Sequence, residues 1–253
     1  MKVAIVGGTG KTGRAVGSAL ASLRVDSSAV GRRDWPRLES MLVGHDVVHV
    51  IAPNLHPDEP GYVAEVLAAS ANAGVRRVVY HSVVAPYAPA MPHHLGKAAA
   101  EDLVRRSGLD WTILQPCAYL DNLVPQVAAG QIEVPYSPRA LFGFVTLSDV
   151  AAASAVVLSS PGHVGATVEL GGPDLRCVAE VAGAFGVPVR RISVEEWRSG
   201  VAGRLSAREK NWLESMFGYY DHFGLPAGGD GLAALLGRPG TSVGEAAALH
   251  LGS

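Results

Sequence analysis

Lys2-Val-Ala-Ile-Val-Gly-Gly-Thr-Gly-Lys-Thr-Gly-Arg14 is the stretch that decides how this chain is read. Val3 to Val6 is a short, unbroken apolar run rich in β-branched residues, the pattern of a strand buried on both faces. Glycines follow at 7, 8, 10 and 13, and Val16, Ala19, Leu20 and Leu23 then mark one side of a helix from about Thr12 to Leu23. Two spacings hold together, Gly8-x-Gly10-x-x-Gly13 and Gly7-x-x-Gly10-x-x-Gly13. In such a turn the early glycines allow the tight bend, Gly10 admits a pyrophosphate close to the backbone, and Gly13 lets helix and sheet pack. Unpaired amides at the helix start, with the dipole behind them, hold the anion. Because the pattern follows a strand and opens a helix, it points to a dinucleotide site at Gly7, Thr9, Gly10, Lys11, Thr12 and Gly13. Gly10-Lys11-Thr12 also looks like the end of a nucleoside triphosphate loop, but that motif needs glycine where Ile5 stands, inside the strand.

The bulk composition agrees with a soluble α/β protein. Of the 253 residues 48% are apolar and 17% charged, enough for a sizeable core, and the net charge of −2 gives no reason to expect nucleic acid or an anionic membrane surface. Cys117 and Cys177 lie far apart without a paired motif, as in a reducing compartment. With a strand in place of a cleavable leader and no apolar run of membrane length, a cytoplasmic location is expected.

Further along, Arg24 to Val30 reads as a weak second strand ending in Gly31-Arg32-Arg33-Asp34. An acid at the end of this strand would bind the ribose hydroxyl of NAD, whereas arginines accommodate the phosphate of NADP. Asp26 comes too early and Asp34 after the arginines, so NADP(H) is preferred, with NAD(H) possible. An ordinary solvated pair is the other reading of Arg32 and Arg33. Asp46 to Pro53 is a third strand whose end, Ala52 and Pro53, falls near the adenosine half of the cofactor. Residues 54–60 read as a loop and Tyr62 to Ala73 as a helix. Arg76 to Ser82 is the fourth strand, and a helix from about Pro92 to Ser107 carries His93, His94, Lys97 and Glu101. Trp111 to Leu114 is another strand, residues 123–144 read as irregular, and Ser148 or Asp149 caps an alanine-rich helix. Thr167 to Leu170 is the last core strand. The remainder is mostly helical, with Trp212, Met216, Tyr219, Tyr220 and Phe223 on one side of a helix from Ala207 to Phe223, and Ser242-x-x-Glu245 as a capping box. Strand–helix alternation of this kind calls for a parallel sheet with right-handed crossovers. The linker-like stretches are too short to divide the chain, so residues 1–253 are read as one NAD(P)-binding domain.

The glycine turn, Val75-Arg-Arg-Val-Val-Tyr-His-Ser82, Lys97 with Glu101, and Ser107-Gly-Leu-Asp-Trp-Thr-Ile-Leu-Gln-Pro116 together resemble the NmrA-like group of atypical short-chain dehydrogenases/reductases. Tyr119 to Asn122, Phe144 to Val150 and Leu236-Gly-Arg-Pro-Gly-Thr241 extend the likeness over nearly the whole chain. The resemblance implies a Rossmann-type, doubly wound parallel sheet as the core, about 1–120 and 144–173, with a small, mostly helical C-terminal cap, about 121–143 and 174–253, and cofactor and substrate meeting in the cleft between them. It also implies that Lys97 binds the nicotinamide ribose and, by its charge, favours a deprotonated neighbour. Short-chain dehydrogenases proper carry Tyr-x-x-x-Lys on this helix, whereas this chain has His93-x-x-x-Lys97. The four-residue spacing keeps both on one face, and the helix start disfavours an imidazolium at 93.

The expected reaction is reduction of a small apolar carbonyl, quinone or enone compound by NADPH, with Lys97, His93 and Ser82 as the catalytic candidates. Ser82, at a strand end, is also a candidate for the nicotinamide, and Tyr87, Tyr119 and Asn122 for the substrate pocket. The absent tyrosine leaves two alternatives: a redox sensor that binds NADP with little catalysis, and an enzyme performing a non-redox acid–base rearrangement or cyclisation. The histidines lack metal-ligand spacing, so no metal is expected.

Overall fold

A computed structural model describes residues 1–251. The chain begins with β1 (Lys2–Val6), α1 (Lys11–Ser22), β2 (Asp26–Val30), a 3-10 turn at Arg32–Arg37 and α2 (Leu38–Leu42). β3 (Val47–Val50), α3 (Glu59–Asn72), β4 (Arg77–His81), α4 (Pro92–Arg105) and β5 (Asp110–Pro116) follow. Next come α5 (Val124–Ala128), β6 (Ile132–Val134), β7 (Leu141–Phe142), α6 (Leu147–Ser159) and β8 (Ala166–Leu170). The last part holds β9 (Arg176–Cys177), α7 (Val178–Ala184), β10 (Val189–Arg191), α8 (Val194–Gly200), α9 (Ala207–Phe223), α10 (Asp230–Leu236) and α11 (Val243–Leu251).

Six strands form one parallel sheet in the order β2-β1-β3-β4-β5-β8. Alternation along each strand divides the core. Val3, Ile5 and Val79 face α1 and α6, while Ala4, Val6, Val78 and Tyr80 face α2, α3 and α4. The winding direction reverses between β1 and β3, and ligands of open α/β sheets bind at such a reversal, outside the carboxyl ends of the strands. The glycine turn opens there. Unlike the six-strand dinucleotide fold of order 3-2-1-4-5-6, the first half has no strand outside β2. The segment leading to β3 holds only the 3-10 turn and α2, so β2 is an edge, with Asp26, Ser27 and Ser28 blunting it.

Two sequence expectations are corrected here. Residues 123–144 contain α5, β6 and β7: β6 pairs in parallel with β10 and β7 antiparallel with β9. Such short strands exist only because a distant segment completes their hydrogen bonds. The cap of α6 is Thr146, whose hydroxyl accepts from the Asp149 amide. Asp149 instead anchors the C-terminal segment: Arg238 Nη2 lies 2.6 Å from Oδ1, and the Thr241 amide 2.6 Å from Oδ2. The helical cap closes on an aromatic cluster in which Tyr136 meets Phe142 and Tyr220 at ring separations of 5.7 and 5.5 Å. From there α9 runs back over the carboxyl edge of the sheet. No described helix is long and apolar enough to cross a membrane.

Candidate active site

Steric crowding explains Gly7 and Gly13 in the first turn. Gly7 has φ +86°, and a Cβ on it would sit 2.2 Å from the Ile51 carbonyl oxygen on β3's exit. A Cβ on Gly13 would meet the Gly7 oxygen at 2.4 Å and the Gly8 Cα at 2.5 Å, so the loop can fold back over α1 only without side chains there. α3, α6, α8 and α9 are capped by the side chains of Asp58, Thr146, Ser193 and Ser206; Gly10 gives α1 no such cap. The first hydrogen bond of α1 runs from the Arg14 amide to the Gly10 carbonyl, which leaves the amides of Lys11, Thr12 and Gly13 for a ligand. Lys11 stands beside them, its ammonium 3.4 Å from the Asp121 carbonyl, and Arg14 donates to the Thr9 carbonyl. A bare helix start with cationic side chains fits a pyrophosphate.

At the end of β2, Asp34 Oδ2 accepts from the Gly31 amide at 2.9 Å and so folds back on the chain. Arg32 and Arg33 are exposed and make no hydrogen bond or ion pair among the described residues. A Cβ on Gly31 would lie 2.9 Å from the Thr9 side chain, which ties this corner to the phosphate loop. Ala52 and Pro53 follow β3 at the same edge of the sheet, in a loop where Leu55 takes φ 54°. Ala85, after β4, takes φ 52°. Positive φ at non-glycine residues is costly and concentrates at ligand sites.

Pro92 starts α4, its missing amide being one the helix would leave unpaired anyway. The Lys97 ammonium on this helix lies 2.7 Å from Glu59 Oε1 and 3.5 Å from the His81 carbonyl. The His81 ring Nε2 is 2.9 Å from the Tyr119 hydroxyl, and the Thr12 side chain faces that same hydroxyl. His81 thus links the lysine side of the cleft to the phosphate loop. Burial raises the Tyr119 phenol's pKa, so it is protonated.

His93 is partly buried, with its ring stacked 6.4 Å from that of Trp212 on α9 and edge-on to His94. Burial first, then the charges of His94 and Lys97, brings its pKa down to about 3. The ring is neutral, with burial the leading cause in place of the helix dipole expected from sequence. Arg208, one turn earlier on α9, covers the Trp212 ring at 5.0 Å and reaches the Leu55 carbonyl at 3.5 Å. α9 is therefore a lid resting on the loop after β3 and on the start of α4.

Other candidates sit differently from expectation. Ser82 is buried and donates to Glu101 Oε1 at 2.6 Å, where Gln115 also donates. Its proton is committed, which removes it from the proton donors. Tyr87 is 62% exposed and turns its hydroxyl to Arg105 and Glu101, toward the far end of α4. Asn122 is exposed beside Asp121. Sequence reasoning missed Glu59, because residues 54–60 read as a loop. Asp58 as cap with Pro60 in the first turn was the signal for an earlier helix start. It also missed the buried pair His49 and His81, whose rings lie 5.7 Å apart; inside apolar strands they carry no local signal.

Comparison with known proteins gives the family. A family model described as NAD(P)H-binding matches residues 33–161, about half of the chain. The NAD(P)H azoreductase of Xenophilus azovorans is 28% identical over 222 residues, covering 76% of this chain and 77% of that protein. The (4-alkanoyl-5-oxo-2,5-dihydrofuran-3-yl)methyl phosphate reductase of Streptomyces griseus is 28% identical over 219 residues, or 74% and 75%. Among solved structures, the NADPH-dependent quinone oxidoreductase of Escherichia coli complexed with NADPH superposes with a TM-score of 0.83 at 21% identity, covering 99% of this chain and 100% of that one. The chain belongs to the NAD(P)H-binding family.

Proposed function

We propose that this protein is an NADPH-dependent reductase of small, apolar carbonyl, quinone or enone compounds. One observation carries the reading most: the uncapped start of α1 lies beside an arginine pair with no protein partner among the described residues, while Asp34 folds back on its own chain. The amides of Lys11, Thr12 and Gly13 would hold the pyrophosphate, Arg32 and Arg33 the additional phosphate, and Ala52 and Pro53 the adenosine side. Lys97 would hold the nicotinamide ribose. Bound NADPH would supply the hydride. The chain's own part is orientation, exclusion of water under α9, and a proton. The neutral N–H of His93 and the protonated phenol of Tyr119 are the donors at hand, with Ser82 reduced to bracing Glu101. The names of the reductase relatives support the substrate class, and two free cysteines support a reducing, cytoplasmic setting.

The test mixes protein and NADPH with a panel of quinones and enones and follows cofactor absorbance. Turnover with at least one class is expected. A second reading, a sensor of cofactor redox state, rests on the contact of His93 with Trp212, which ties the cleft to the lid. A flat trace across the panel, with calorimetry showing unequal affinity for NADPH and its oxidised form, would replace the first reading by the second.

A further inference from the structure

Lys97 is not a free cation. Glu59, the first residue of α3, is 5% exposed, and its Oε1 takes both Lys97 Nζ at 2.7 Å and Tyr80 OH at 2.6 Å. A buried carboxylate is costly unless compensated. Here the ammonium, the phenol and the positive end of the α3 dipole all offset that cost. Tyr80 is wholly buried, so it serves the carboxylate and reaches no ligand.

Apolar residues of similar volume commonly stabilise a core as well as a buried ion pair does. The pair instead fixes a side chain whose four-carbon stem is otherwise mobile. An ammonium has three N–H donors; one meets Glu59, one approaches the His81 carbonyl, and the third has no hydrogen-bond acceptor among the described residues.

We propose that Glu59 is a positioning residue that presets Lys97 as a hydrogen-bond donor to the nicotinamide ribose. This rests on the ribose role proposed above. Glu59→Ala, Glu59→Gln and Tyr80→Phe test it through two readouts: Lys97 acylation by an amine reagent without cofactor, read by peptide mass spectrometry, and NADPH affinity by fluorescence titration. In Glu59→Ala, labelling of Lys97 is expected to rise at least about threefold and NADPH affinity to fall about tenfold, the scale of one charge-assisted hydrogen bond. Glu59→Gln, which keeps an oxygen for the ammonium, should recover most of the affinity while still labelling faster than wild type. Tyr80→Phe should leave both within about twofold. Equal labelling of Lys97 in wild type and the Glu59 variants overturns the proposal, as does wild-type affinity in Glu59→Ala. Should Glu59→Ala not fold, labelling of Glu59→Gln against wild type decides alone. Failure of the wild type to bind NADPH would sink the cofactor reading, whereas unchanged labelling with intact NADPH binding sinks only the role of Glu59.

Discussion

The carboxylate of Asp34 accepts the Gly31 amide at 2.9 Å, so the acid nearest the end of β2 closes a turn of its own backbone. Arg32 and Arg33 are left facing solvent beside Thr9. Replacing both by alanine should weaken NADPH binding about ten- to a hundredfold, as expected for charge-assisted contacts to a phosphate. Affinity for NADH should change less than about threefold. Parallel titrations with the two cofactors check this, and equal losses would show that the arginines do not read the additional phosphate.

The glycine turn makes a paired prediction. Gly13→Ala would drive a Cβ to 2.4 Å from the Gly7 oxygen. It should cost about 1–3 kcal/mol of stability and abolish cofactor binding. Gly17→Ala, one turn later, places its Cβ 3.7 Å from Ile5 Cδ1, an ordinary contact. It should stabilise the protein by about 0.5–1 kcal/mol and leave binding intact. Urea unfolding and cofactor titration of both variants separate loop sterics from general sensitivity of the helix.

Four histidines give stability a pH dependence of definite sign. Burial is the first cause in each case, taking His49 and His93 down to about 3, His94 to about 4, and His81 well below 6.5. Below pH 6.5 the unfolded chain takes up protons that the folded one refuses, so stability is full above that value and declines as pH falls toward 4. Each histidine adds up to about 1.4 kcal/mol per pH unit inside the window. His49 is wholly buried with neither ring nitrogen bonded. His49→Leu should therefore be neutral or stabilising at neutral pH and flatten the acid decline, read from unfolding curves at neutral and mildly acidic pH. An unchanged slope would mean that His49 is not neutral in the native state.

The anchor of the C-terminal segment should fail in graded steps. Asp149→Ala leaves the Thr241 amide and Arg238 without their acceptor and should cost about 2–4 kcal/mol. Arg238 is half exposed, and Arg238→Ala leaves Asp149 with Thr241 and Thr146, so about 1–2 kcal/mol is expected. Chemical denaturation measures both. A larger loss for the arginine variant would reverse the assignment of the carboxylate as the hub.

Where the chain's chemistry is local, its structure was legible. The apolar run of β1, the glycines that follow and the Ser242–Glu245 capping box each lie within a few residues of what they contact. The span of α9 was legible for the same reason: Ser206 caps one end and Gly224 closes the other. β6, β7 and β9 were not, since each is too short to signal without its partner. Ser82 illustrates the limit at the site. Its strand-end position suggested a ligand contact, yet Glu101, nineteen positions away, holds its proton.

The sequence by itself determined the sheet-and-helix order and the phosphate-binding turn, because backbone sterics and apolar periodicity act between near neighbours. Only the tertiary structure decided that β2 is an edge, that Lys97 is held by Glu59, and that His93 lies under Trp212. Ion pairing and burial depend on distances across the cleft. Those distances are set when α3 and α4 pack on the sheet and α9 rests on the start of α4, and no spacing along the chain encodes them.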